Sequence, residues 1–141
     1  VTQVIPMLRR MTVVVGYVPS AEGRAALDAA IEEAARRGET LHLVNVGQSD
    51  ASNDPKFLDE GEVERLRGRL AEAGVPFEIE QLVRGRDAAE EVVDAAERIG
   101  ATLVVIGMRR RSPTGKLLFG SQAQRILLDA DCPVLAVKAT R

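Results

Sequence analysis

The chain has 141 residues, 45% apolar and 28% charged, an ordinary globular mix and enough for one domain with its own core. A net charge of −2 argues against a chain-wide electrostatic grip on nucleic acid, and 3% aromatic residues with no Trp argue against a base-stacking platform. The single cysteine, Cys132, rules out an internal disulfide and fits a reducing cytoplasm, and no apolar run approaches the about 20 residues of a membrane helix.

The first residues, VTQVIPMLRRM, put their apolar part before their basic pair and lack a small-residue cleavage site, the wrong order for a secretory signal. Residues 1–11 read as an N-terminal extension and 12–141 as the domain. Thr12 to Gly16, TVVVG, is a β-branched run ending in glycine and predicts a buried strand. YVPS follows as a loop, with Ser20 placed to cap a helix. From Ala21 to Arg37, Leu27, Ala30, Ile31, Ala34 and Ala35 form a helical stripe that Gly38 ends. Thr40 to Val46, TLHLVNV, predicts the second strand.

Gly47 to Asp54 is a polar loop, and Pro55 fits the first position of a second helix. Val63, Leu66, Leu70 and Ala73 carry that helix to Gly74, while Gly61 and Gly68 each weaken it by about 1 kcal/mol relative to alanine. Pro76 to Val83 alternates apolar and polar residues, as a strand at or near a sheet edge does. DAAE, Asp87 to Glu90, has capping-box spacing for a helix running through Val92, Ala96 and Ile99 to Gly100. Thr102 to Gly107, TLVVIG, is a fourth strand. A last helix carries Ala123, Ile126, Leu127 and Ala130, and CPVLAVK closes the chain as a fifth strand.

Strands alternating with helices imply an α/β fold, a doubly wound parallel sheet with right-handed crossovers. Ligands in such sheets bind at the carboxyl ends of the strands, where the winding direction reverses. The loop after the fourth strand is basic: Arg109, Arg110, Arg111, Lys116 and Arg125 occur between Arg109 and Leu128 with no acid among them. Gly120 and Ser121 then open a helix, whose N-terminus can hold a phosphate. The same residues fit a solvated basic loop with Ser121 as an ordinary cap. A P-loop is absent, since Gly115 and Lys116 are followed by Leu117, and no dinucleotide glycine fingerprint follows the first strand. His42, the only histidine, sits within a strand pattern and reads as a structural polar residue. No serine elbow and no zinc ligand set occur, and Cys132 reads as a small buried hydrophobe.

From Thr12 to Lys138 the chain resembles the universal stress protein family. The resemblance rests on VVVGYVPSAEGRAAL, LHLVNV, LVRGRDAAEEVVDAAERIGATLVVIGMRRRS and GSQAQRILLDADCPVLAVK. It implies a single five-stranded parallel sheet in the order 3-2-1-4-5 with helices on both faces. It also implies ATP or another adenine nucleotide as ligand between the loops after strands one and four. A homodimer through the last strand, Val134 to Lys138, is implied as well, with no nucleic-acid or membrane partner. The site this implies comprises Gly16, Tyr17, Val18, Ser20, Val46, Gly107, Arg109, Arg110, Gly120, Ser121 and Gln122.

The family's phosphate motif, G-x2-G-x9-G-[ST], is met here by Gly107, Gly120 and Ser121, while Arg110 stands at its second glycine. Val18 stands where nucleotide-binding members carry an aspartate, and Ser20 keeps a hydroxyl. Arg110 either obstructs the loop, turns outward, or pairs with phosphate. Three functions follow: a regulatory, stress-protective nucleotide-binding protein without strong turnover; a dimeric scaffold that needs no nucleotide; and a slow ATPase, for which no catalytic base is evident.

Overall fold

The computed structural model describes residues 11–48, 54–109 and 120–139. Five strands alternate with four helices: β1 (Thr12–Gly16), α1 (Ala21–Arg37), β2 (Thr40–Val46), α2 (Glu60–Ala73), β3 (Phe77–Leu82), α3 (Ala88–Ile99), β4 (Leu103–Met108), α4 (Ser121–Asp129) and β5 (Val134–Lys138). All pairings are parallel, and the sheet order is β3-β2-β1-β4-β5. Val14 of β1 lies opposite His42 on β2 and Val104 on β4, which puts the most apolar strands in the middle.

Each face of the sheet has its own core. Val13, Val15, Leu41, Leu43 and Val105 point to one side, where α1 contributes Leu27 and Ala30 and α2 contributes Leu66 and Leu70. Val14, Val44, Val104 and Ile106 point to the other, against Val92 and Ala95 of α3 and Ala123 and Ile126 of α4. The period of two along each strand separates these sets. A fully buried Leu or Val stabilises by about 1.5–3 kcal/mol relative to exposure, so the two layers supply most of the driving force.

The edges carry the polar pairing that the alternating sequence announced. β3 is an edge strand with half-buried residues, and its Glu80 takes hydrogen bonds from His42 on β2 and Arg98 on α3. His42 is therefore a structural polar residue.

One helix start differs from the sequence reading, and two others keep their place while their capping is settled by the structure. Pro55 does not begin α2: the helix starts at Glu60, where Asp59 and Glu62 form a reciprocal capping box that outcompetes a proline start. Asp87 is the N-cap of α3 but its side chain makes no cap bond; it pairs instead with Arg125 of α4 at 2.6 Å. At α4 the cap is Gly120, with Ser121 the first helical residue. Cys132 is half-buried against the α3–α4 layer.

Candidate functional site

A cleft opens at the carboxyl ends of β1, β2 and β4, where the winding of the sheet reverses. It encloses about 550 Å3, counting the part open to solvent. Its floor is the unfinished end of the α3–α4 core: Val44, Val46, Val92, Ile106, Ala123 and Ile126 line it. The loop after β1 and the first turn of α1 form one wall, and the start of α4 forms another.

Glycine makes the approach of these walls possible. A Cβ on Gly107 would lie 2.3 Å from the Glu22 carbonyl oxygen, so the end of β4 meets the first turn of α1 backbone to backbone. A Cβ on Gly23 would lie 1.8 Å from the Val18 carbonyl oxygen. Ser20 closes this wall, its Oγ accepting from the Gly23 N–H at 3.0 Å, the cap bond that the sequence placed there.

Behind the wall, Asn45 is 0% exposed and fully engaged. Its Nδ2 donates to the Tyr17 carbonyl at 3.0 Å and the Lys56 carbonyl at 2.9 Å, and its Oδ1 accepts from the Leu58 N–H at 2.9 Å. One side chain thus fixes the loop after β1 to the segment that leads into α2. Tyr17 packs in the α1–α2 core layer. Burial raises the pKa of its hydroxyl above the ordinary value, against the opposing pull of Arg24 and Arg69.

Of the residues expected at a site, Gly16, Tyr17, Val18, Val46, Gly107 and Gln122 line the cleft. Ser20 lies between the lining residues Val18 and Glu22, Ser121 adjoins the lining residue Gln122, Gly120 caps the helix there, and Arg109 follows β4 with its side chain exposed. Arg110 lies outside the described residues. Gln122 also supports the neighbouring helix. Its Oε1 accepts from the Ala89 N–H at 2.7 Å, satisfying the start of α3 that Asp87 leaves uncapped.

The uniformly basic character read from the sequence is moderated by acids from other elements. Arg125 is paired with Asp87, and Arg109 acts on Glu22 across the cleft. The hydrogen bond with the Ser20 hydroxyl is the main cause of a lowered Glu22 pKa; burial opposes it, and Arg109 and Arg24 reinforce it.

The sequence reading missed Glu22, Gly23, Val44, Ala88, Val92, Ile106, Ala123 and Ile126 as cleft residues. The strand-end positions Val44 and Ile106 could have been found by extending the switch-point rule to neighbouring residues of each strand. Ala123 carried only a helical-stripe signal, and Ala88 only its place in the DAAE capping-box spacing.

The universal stress protein family model matches residues 7–138. A universal stress protein from Mycolicibacterium smegmatis is 50% identical over 126 residues, covering 89% of this chain and 96% of that protein. The structure of a universal stress protein from Archaeoglobus fulgidus is similar with a TM-score of 0.78 and 32% identity, covering 91% of this chain and 98% of that one. A second Archaeoglobus fulgidus structure, solved in complex with dAMP, is similar with a TM-score of 0.67 and 27% identity, over 93% of this chain and all of that one.

Proposed function

The chain belongs to the universal stress protein family, and from that premise we propose that it binds an adenine nucleotide in the cleft at the ends of β1 and β4. In this reading it is a cytoplasmic, regulatory stress-response protein that holds its ligand without strong turnover. The observation that carries the reading is the cleft itself, an apolar slot at the switch point flanked by glycine-mediated backbone approaches.

The parts suit the ligand. The apolar floor offers a flat base a dry surface, and the free end of α4, with no side-chain cap, leaves first-turn N–H groups for a phosphate. Val18 supplies wall rather than a carboxylate. A relative of the same fold, in complex with dAMP, supports the ligand class. Titration calorimetry with AMP and ATP tests the proposal. Saturable binding that weakens in Ser121→Ala supports it; no heat and no thermal stabilisation with either ligand refutes it. Phosphate release over many turnovers would contradict the absence of catalysis.

A dimeric scaffold that needs no nucleotide is the second reading, favoured by the other edge of the sheet. Val134, Leu135, Ala136 and Val137 of β5 are only half-buried at an open edge, and Leu128 on the adjoining α4 is 82% exposed. An apolar open edge is a template for strand pairing, and a twofold contact is its commonest closure. Both readings include a homodimer through β5. Light scattering at decreasing concentration checks it, and a monomer at micromolar concentration counts against it.

A further inference from the structure

Glu22 is the charged residue among the described residues that line the cleft. It sits where the two binding loops meet: its carbonyl oxygen faces Gly107, the Ser20 hydroxyl hydrogen-bonds its carboxylate, and Arg109 acts on that carboxylate from the loop after β4. The remaining described lining is apolar, glycine, the Tyr17 segment or the amide of Gln122. The Glu22 side chain is only half-buried, so its charge acts on the cleft from partly solvated surroundings and is open to screening by salt.

We propose that Glu22 is a specificity residue that makes the cleft favour adenine ligands of low charge, the nucleoside and monophosphate, over the triphosphate. This rests on the nucleotide reading above. Each further phosphate adds negative charge near the loop ends that Glu22 joins. The Ser20 hydroxyl already hydrogen-bonds the carboxylate, and the positive field of Arg109 is partly offset by it. An uncharged base and ribose meet no such repulsion, and ribose hydroxyls can donate to the carboxylate. The acidity of Glu22 agrees with this geometry: the Ser20 hydrogen bond, ahead of Arg109, holds its pKa below the ordinary value, so it stays ionised throughout the neutral range.

The test is titration of adenosine, AMP and ATP into the full chain and into Glu22→Gln, with a chelator present and ionic strength fixed. Glutamine keeps the size of the side chain and an acceptor for Ser20 while removing the charge. The expected result is adenosine affinity within about twofold of wild type, AMP tightened by about threefold and ATP by about tenfold, the gain shrinking as salt is added. Equal changes for all three ligands, or an unchanged ratio of ATP to adenosine affinity, would overturn it. Glu22→Ala must give the same ranking, which guards against a folding defect specific to one substitution. If adenosine, AMP and ATP all fail to bind wild type, the nucleotide reading falls and this inference falls with it; if adenosine binds but the ratios do not move, this inference alone is refuted.

Discussion

Gly107→Ala is expected to damage both the fold and the cleft, and the structure sets the size of the effect. The new Cβ would sit 2.3 Å from the Glu22 carbonyl oxygen and 2.6 Å from its carbonyl carbon. An ordinary carbon–oxygen contact is about 3.3–3.6 Å, so the shortfall is about 1 Å. Both offending atoms are backbone, and no rotamer change relieves them. Gly107 is held in β4 opposite Val137 of β5, so the strand resists movement and the first turn of α1 must retreat. Overpacking of this kind costs about 1–3 kcal/mol, or roughly 3–12 °C in Tm for a domain of this size. The retreat carries Glu22 and Gly23 away from the cleft, so AMP affinity falls together with stability. Gly120→Ala is the control. No described atom lies within 4 Å of its added Cβ, and its φ of −60° suits alanine. Its stability should change by less than about 1 kcal/mol, because the entropic gain of replacing glycine is offset by alanine's disadvantage at an N-cap. Paired thermal melts of the two variants decide the matter. A Gly107→Ala protein that melts within a degree of wild type would show that the close approach imposes no constraint.

Asn45→Ala strands the Leu58 N–H and the Tyr17 carbonyl in a buried position, and should cost about 2–4 kcal/mol, read as a lowered urea midpoint with faster amide exchange at Leu58. Glu91 is 0% exposed and accepts from Arg84 and Arg86; because both arginines reach solvent and are released rather than stranded, Glu91→Ala should cost only about 1–3 kcal/mol in the same assay. Burial raises the pKa of Glu80, but hydrogen bonds from His42 and Arg98 outweigh it and leave the carboxyl below its ordinary value. A depressed carboxylate contributes stability above its unfolded pKa of about 4.3 and loses it as pH falls through the lower folded value. Glu80→Gln should therefore be less stable than wild type at neutral pH, with the gap closing on acidification; a gap that stays constant with pH would contradict the ion-pair account.

The elements of the fold were legible because their signals are local. TVVVG, TLHLVNV and TLVVIG are too apolar to sit anywhere but the middle of a covered sheet, and FEIEQL alternates as an edge does. Helix ends stopped by Gly38, Gly74 and Gly100 were equally plain, each with a positive φ that glycine supplies at low cost. Helix starts were harder, because competing caps lie within a few residues: Asp59 with Glu62 prevails over Pro55, and Asp87 is drawn away by Arg125. The cleft was half legible. Gly16 and Gly107 follow from strand-end position, but Glu22 looks like any acid in a first helical turn until the end of β4 is laid beside it. Of the basic cluster only Arg109 and Arg125 fall among the described residues, and the acids they act on, Glu22 and Asp87, come from distant parts of the sequence.

Gln122 is both a lining residue and the cap of α3, and Ala88 and Ala123 bring small side chains to the cleft among its valines and isoleucines. The cavity is thus a region of deliberately incomplete packing, and stability and vacancy are in opposition there. Enlarging Ala88 or Ala123 by two or three carbons would extend the α3–α4 layer over the ends of β1 and β4 and raise the melting temperature, at the expense of the space itself. Selection for thermal robustness alone would drift toward filling it. Small residues at these two positions in a chain under such selection would mark a pressure to keep the space empty, a pressure that packing cannot supply.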